Sequence, residues 1–109
     1  MNGMITINEV QNDGKSIHLY FNGLMGLYAA YGYSAFLLYK NTPVAASYSV
    51  SMQMPVVVMN SAHVDELKKQ LEIVKQGKGY YCLTVEEGID EKEYDEWAGR
   101  LREFKVNSQ

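Results

Sequence analysis

The chain predicts an α+β domain, α/β-like in its alternation, with a single layer of mixed β-sheet carrying about five strands and three helices packed on it. Three observations lead there. A length of 109 residues and a mass of 12.4 kDa supply one hydrophobic core, so residues 1–109 read as a single domain. From Ala46 to Met54 larger apolar and small polar residues alternate, the period of a strand with one wet face. Two later segments instead repeat their apolar residues at helical spacing and carry capping signals.

Met4-Ile5-Thr6-Ile7, the Asn12-Asp13-Gly14 turn and Ser16 to Phe21 read as two short strands forming an opening hairpin. Leu24, Leu27, Tyr28, Tyr31, Ala35, Leu38 and Tyr39 then recur at helical spacing, with Pro43 beyond as a stop, and predict a helix over 24–39. Gly26 and Gly32 weaken it by about 1 kcal/mol each relative to Ala. A break near Gly32, with 34–40 turning into a strand, is the competing reading.

Ala46 to Met54 is a strand, and Val56-Val57-Val58-Met59 a second one, apolar on both faces and separated from the first by Pro55. Ser61 stands as the N-cap of a helix marked by Val64, Leu67, Leu71 and Val74 and ending at Gly77. Gly79 to Val85 returns as a strand, so 56–85 reads as a β-α-β unit with a right-handed crossover if its strands share a sheet. Asp90 and Glu93 form a capping-box pattern, with Ile89 and Tyr94 as its hydrophobic staple. The last helix aligns Tyr94, Trp97, Leu101 and Phe104, and the tail from Val106 to Gln109 is expected to fray.

Charge is distributed unevenly. Before residue 61 the only charged side chains are Glu9, Asp13, Lys15 and Lys40, whereas 86–105 holds eight acids against four bases. The uncharged half is rich in Tyr and Met, residues that present large contact area with a polar or deformable end. Such a surface suits self-association or a protein partner, and Tyr33, Tyr48, Met52 and Met54 are its candidate interface residues. A net charge of −3 argues against a strong electrostatic grip on nucleic acid. One cysteine, Cys82, excludes an internal disulfide, no apolar run reaches membrane-spanning length, and the first residues lack the layout of a secretory signal. The expectation is a cytoplasmic protein without membrane attachment.

Catalytic constellations are missing from the pattern. His18 and His63 have no partner at metal-ligand spacing, and Cys82 in a strand reads as a small buried hydrophobe. Gly23, Gly26 and Gly32 lack the Gly-Lys-Ser/Thr ending of a phosphate loop, and the acids of 86–93 lack the alternation of a calcium loop. No metal, cofactor or catalytic residue is expected. Lys68, Lys69, Lys75 and Lys78 form the one basic cluster.

One family resemblance spans 20–87. Met25-Gly26-Leu27-Tyr28-Ala29-Ala30-Tyr31-Gly32-Tyr33-Ser34-Ala35, Met54-Pro55-Val56-Val57-Val58-Met59-Asn60-Ser61-Ala62-His63-Val64 and Val74-Lys75-Gln76-Gly77-Lys78-Gly79-Tyr80-Tyr81-Cys82 resemble successive segments of the N-terminal, mismatch-recognition domain of the MutS DNA-repair family. Where that family carries Phe and, two residues later, Glu to read a mispaired base, this chain has Leu27 and Ala29. The resemblance therefore implies a fold like that domain and at most weak DNA association without mismatch specificity. In that alternative Lys68, Lys75 and Lys78 touch phosphate while Leu27, Tyr28 and Tyr31 approach bases. The leading expectation is a non-enzymatic interaction module, self-associating through its Tyr/Met-rich first half.

Overall fold

The computed structural model describes residues 2–107. Its elements run α1 (Asn2–Val10), β1 (Ser16–Asn22), β2 (Leu27–Tyr31), α2 (Gly32–Asn41), β3 (Ser47–Ser49), β4 (Met54–Met59), α3 (Ser61–Gln70), β5 (Glu72–Gly77), β6 (Tyr80–Thr84) and α4 (Glu91–Asn107). The α+β class holds, with one six-stranded sheet in the order β3-β4-β2-β1-β6-β5 and four helices. Every strand pair is antiparallel, where a mixed sheet was expected.

Register separates the two sheet faces. Ile17, Leu19, Ala30, Val57, Met59 and Leu83 point to one face and join Ala35, Phe36 and Leu38 of α2, Val64 and Leu67 of α3 and Trp97 of α4 in a single buried cluster. Each Val, Leu, Ile, Phe or Met among them taken fully out of water contributes about 1.5–3 kcal/mol. The opposite face carries His18, Tyr20, Ala29, Tyr31, Val56, Val58, Tyr80 and Cys82. Among the described elements α1 lies on it, tied there by Asn8 Nδ2 donating to the Tyr20 hydroxyl at 2.8 Å.

The expected strand at 4–7 is therefore the middle of α1. Four alternating residues cannot separate the two periods, and Ile5 and Glu9, one helical turn apart, are the residues that α1 turns inward. The predicted helix over 24–39 is instead a turn, β2 and α2. Asn22 closes the β1-β2 turn by accepting from Gly26 N at 2.9 Å through its carbonyl and from Leu24 N at 3.0 Å through its side chain. Gly32, at φ +57°, swings the chain from β2 straight into α2, and a Cβ there would meet Met54 Sδ at 3.2 Å and Glu9 Oε1 at 3.4 Å. The competing strand over 34–40 is also absent, since these residues are helical.

The alternating stretch 46–54 forms only the short β3 before a turn at 50–53, in which Gln53 takes φ 55°. Pro55 lies inside β4, buried, so this turn and not the proline separates the two strands. Asn60, not Ser61, caps α3, its side chain accepting from His63 N at 2.8 Å. That helix stops at Gln70 and residues 72–77 are strand β5, because Leu71 is already extended and the chain turns back onto β6. The expected β-α-β unit is thus β4-α3-β5-β6, and β6 runs antiparallel to β4, so no parallel crossover joins those two strands.

Asp90 accepts from Glu93 N at 3.1 Å, one half of the expected capping box. The Glu93 carboxylate turns instead to Lys40 Nζ at 2.7 Å. Trp97 is buried and Tyr94 and Leu101 pack on the core, while Phe104 remains exposed. α4 continues through Asn107, past the expected fraying point, and the remaining tail lies outside the described residues. Both sheet edges are guarded: β3 is three residues long, and β5 carries a bulge between Ile73 and Lys75.

Candidate functional site

The face opposite the main core holds the candidate site, because there the sheet is only partly covered. β1 and β6 place His18, Tyr20 and Tyr80 side by side, with ring centroids 6.5 Å (His18 to Tyr20), 6.0 Å (His18 to Tyr80) and 5.5 Å (Tyr20 to Tyr80) apart. His18 Nδ1 and the Tyr80 hydroxyl share a hydrogen bond of 2.7 Å. Burial holds the His18 imidazole below its ordinary pKa, pushes Tyr20 up to about 12 and raises Tyr80 as well, so all three rings are neutral at pH 7. Cys82 is buried beside them and its thiol is likewise raised by burial. The histidine bonded to a phenol and the enclosed thiol pack as one unit on this face.

Next to these rings runs a groove of about 510 Å³ between α1 and the β1-β2 turn, lined by Ile5, Tyr20, Ala29, Tyr31 and the turn residues up to Leu24. Among the described residues no charged side chain lines it. Leu24, on its rim, is 100% exposed, and Met25 and Phe21 beside it are exposed too. α1 adds Met4, Ile7 and Val10, all exposed and spaced three residues apart on its outer side. A turn built as Gly23-Leu24-Met25-Gly26, with two large apolar residues between glycines, is the sequence signal that marks this end, and composition reasoning passed over it.

The residues proposed from sequence are scattered around this end. Leu27 and Tyr31 lie on the open face, whereas Tyr28 lies on the helix-covered face between Phe21 and Tyr81, at 5.1 and 5.8 Å between ring centroids. Lys68 of α3 reaches the same aromatic group, with Nζ 4.4 Å from the Tyr81 ring centroid, 3.2 Å from its hydroxyl and 3.4 Å from Asp65. Lys75 stands on the edge strand opposite Cys82 and Lys78 in the β5-β6 turn. The six residues therefore do not converge on one surface.

Of the proposed interface residues, Tyr33 and Met54 lie at the other end of α1. Tyr33 donates to Glu91 Oε1 at 3.2 Å and packs edge-on against Tyr94, and Met54 sits against Gly32. Tyr48 and Met52 are half-buried in and after β3. His63 Nε2 is 2.8 Å from Thr42 Oγ1, a bridge between the start of α3 and the end of α2. Among the described residues no group of three or more His, Cys, Asp or Glu is placed to hold a metal ion, and no helix is long and apolar enough to cross a membrane.

One carboxylate is also buried at this site. Glu9 accepts from Ser34 N at 3.2 Å, from Ser34 Oγ at 2.6 Å and from Asn12 Nδ2 at 3.3 Å. Burial pushes its pKa up to about 7 against these hydrogen bonds. Tyr31, at the N-cap position of α2, gives no side-chain cap, so Glu9 supplies one from α1. No protein-family model, curated protein or solved structure matches the chain.

Proposed function

We propose that this chain is a non-enzymatic interaction module that pairs with a second copy of itself through the uncharged end formed by α1 and the β1-β2 turn. The observation that carries the reading is Leu24, wholly exposed on the rim of an apolar groove lined by Ile5, Tyr20, Ala29 and Tyr31. A symmetric dimer needs one patch that carries both a projection and a recess. Here the two are neighbours, so the Leu24 of each copy enters the groove of the other. Charge favours the same partner: each copy carries −3 overall, and this end lets two of them meet without opposing like charges.

DNA association, the reading attached to the MutS resemblance, has less support. Lys68 is engaged by Asp65 and Tyr81, and Tyr31 and Tyr28 lie on opposite faces of the sheet. Light scattering coupled to size exclusion tests the proposal. Wild-type protein is expected to run as a dimer at high micromolar concentration, and Leu24→Glu, which desolvates a charge in the groove, as a folded monomer. A wild-type protein that remains monomeric throughout overturns the self-association reading.

A further inference from the structure

We propose that α1 is a detachable strap, docked on the open face of the sheet while the Glu9 carboxyl group carries a proton and loosened when that proton leaves. The geometry begins with how little holds the helix. Among the described side chains Ile5 and Glu9 are the buried ones, and its outer side shows Met4, Ile7 and Val10 to solvent. Among the described residues its side-chain bonds to the sheet and to α2 are those of Asn8 to Tyr20 and of Glu9 to Ser34.

Glu9 can be held in either protonation state without moving a heavy atom. Ionised, it accepts the Ser34 hydroxyl proton at 2.6 Å, while that hydroxyl accepts from His18 N at 2.9 Å. Protonated, it donates to Ser34 Oγ, whose own proton turns to the Ser16 carbonyl at 3.5 Å. The second arrangement removes a buried charge whose hydrogen-bond partners, Ser34 and Asn12, include no cation.

Groups from each neighbouring element leave this picture intact. α2 presents Ser34 and the Tyr33 backbone, α4 presents Tyr94 and Glu91 across the cleft at the end of α1, and β4 presents Met54. β1 and β6 present Tyr20 and Tyr80, both phenols with raised pKa, and the loop after α1 presents Asn12. His18 contributes its backbone N–H through Ser34, and its imidazole pairs with Tyr80.

The direction follows from linkage. The docked Glu9 titrates near about 7 and a released one at the ordinary 4.5, so docking is fully supported below pH 4.5 and weakens as pH rises through 7. The span corresponds to roughly 300-fold in the docking equilibrium, at about tenfold per pH unit. Release bares Tyr20, Ala29 and Tyr31 and removes Ile5 from the groove wall, so the strap governs the same recess that self-association uses.

Amide hydrogen exchange, expressed as protection factors between pH 4.5 and 8, tests this on dilute protein carrying Leu24→Glu, which keeps the strap separate from dimerisation. Protection over Ile5 to Val10 is expected to fall toward roughly 300-fold and then level off, while the core amides of α2 and β1 hold. The 13C signal of the docked Glu9 carboxyl should titrate near about 7, where the fall in protection levels off, and Glu9→Gln should flatten the protection curve. Protection that ignores pH, or that falls in step with the α2 core, overturns the strap whether or not the protein dimerises.

Discussion

α1 and α2 are similar in length, nine and ten residues, and both come from the half of the chain that holds few charges, yet they are attached in different ways. α2 packs on β1 and β4, touches α4 through Phe36 and Trp97, and buries Gly32, Ser34, Ala35, Phe36, Leu37 and Leu38. α1 rests on the other face and buries Ile5 and Glu9, with its remaining apolar residues outward. One helix is part of the core that defines the fold, and the other is a covering held by the Glu9 carboxyl group, the hydrogen bond from Asn8 to Tyr20 and the burial of Ile5. A helix is therefore as stable as the surface it seals, whatever its own composition.

Truncation inside each helix should separate them most widely. Leu38→Ala removes a side chain with no exposed surface from the main core and is expected to cost about 2–5 kcal/mol of global stability. Ile5→Ala should lower the global value far less, because α1 opens locally before the core unfolds, and should instead cut the protection of α1 amides. Guanidinium unfolding read at Trp97 gives the first quantity and hydrogen exchange the second. Equal losses in the unfolding midpoint would place α1 in the same cooperative unit as α2.

Ser34 joins the two helices, so its removal has an intermediate effect. Its hydroxyl is wholly buried, donates to Glu9 and accepts from His18 N. Ser34→Ala leaves the His18 N–H without that acceptor and Glu9 with one donor fewer, at an expected cost of about 1–3 kcal/mol. With a donor lost, Glu9 becomes harder to ionise, so the pH at which α1 loosens should move upward. A variant that lowers stability but leaves this midpoint in place would show that Ser34 does not tune Glu9.

How much of this was legible in the sequence depends on how far apart the deciding residues lie. The Asp90 half of the capping box and the Tyr94, Trp97 and Leu101 part of the stripe are local signals and appear where expected, whereas the Glu93 carboxylate turns to Lys40 and Phe104 stays exposed. Asn60 sits one residue before the cap read from sequence, within the usual blur of helix ends. The single charge in the first helix was visible, but nothing local says that Glu9 meets Ser34, twenty-five residues on. Without that contact Met4 to Ile7 looks like a strand, and Gly32 looks like a flaw in one long helix instead of the hinge between β2 and α2. The Tyr and Met residues were correctly seen as an uncharged half. Their sorting onto two faces required the register of β1, β2 and β6, which a composition cannot supply.

The smallest effect concerns how α2 and α3 begin. α3 receives its cap from the adjacent Asn60, whose side chain accepts from His63 N, whereas α2 receives one from Glu9 in another element. Asn60→Ala is therefore expected to cost about 1 kcal/mol. Because an amide side chain does not titrate, that cost should be the same at pH 4.5 and pH 8, measured by urea unfolding at each. The support that α2 draws from α1 should not be constant over that range, since the docked Glu9 holds its proton up to about 7. An Asn60→Ala penalty that changed with pH would mean that the start of α3 is coupled to a titrating group, and its persistence in Glu9→Gln would separate that group from the strap. A constant penalty confines proton sensitivity to the helix that is capped from outside itself.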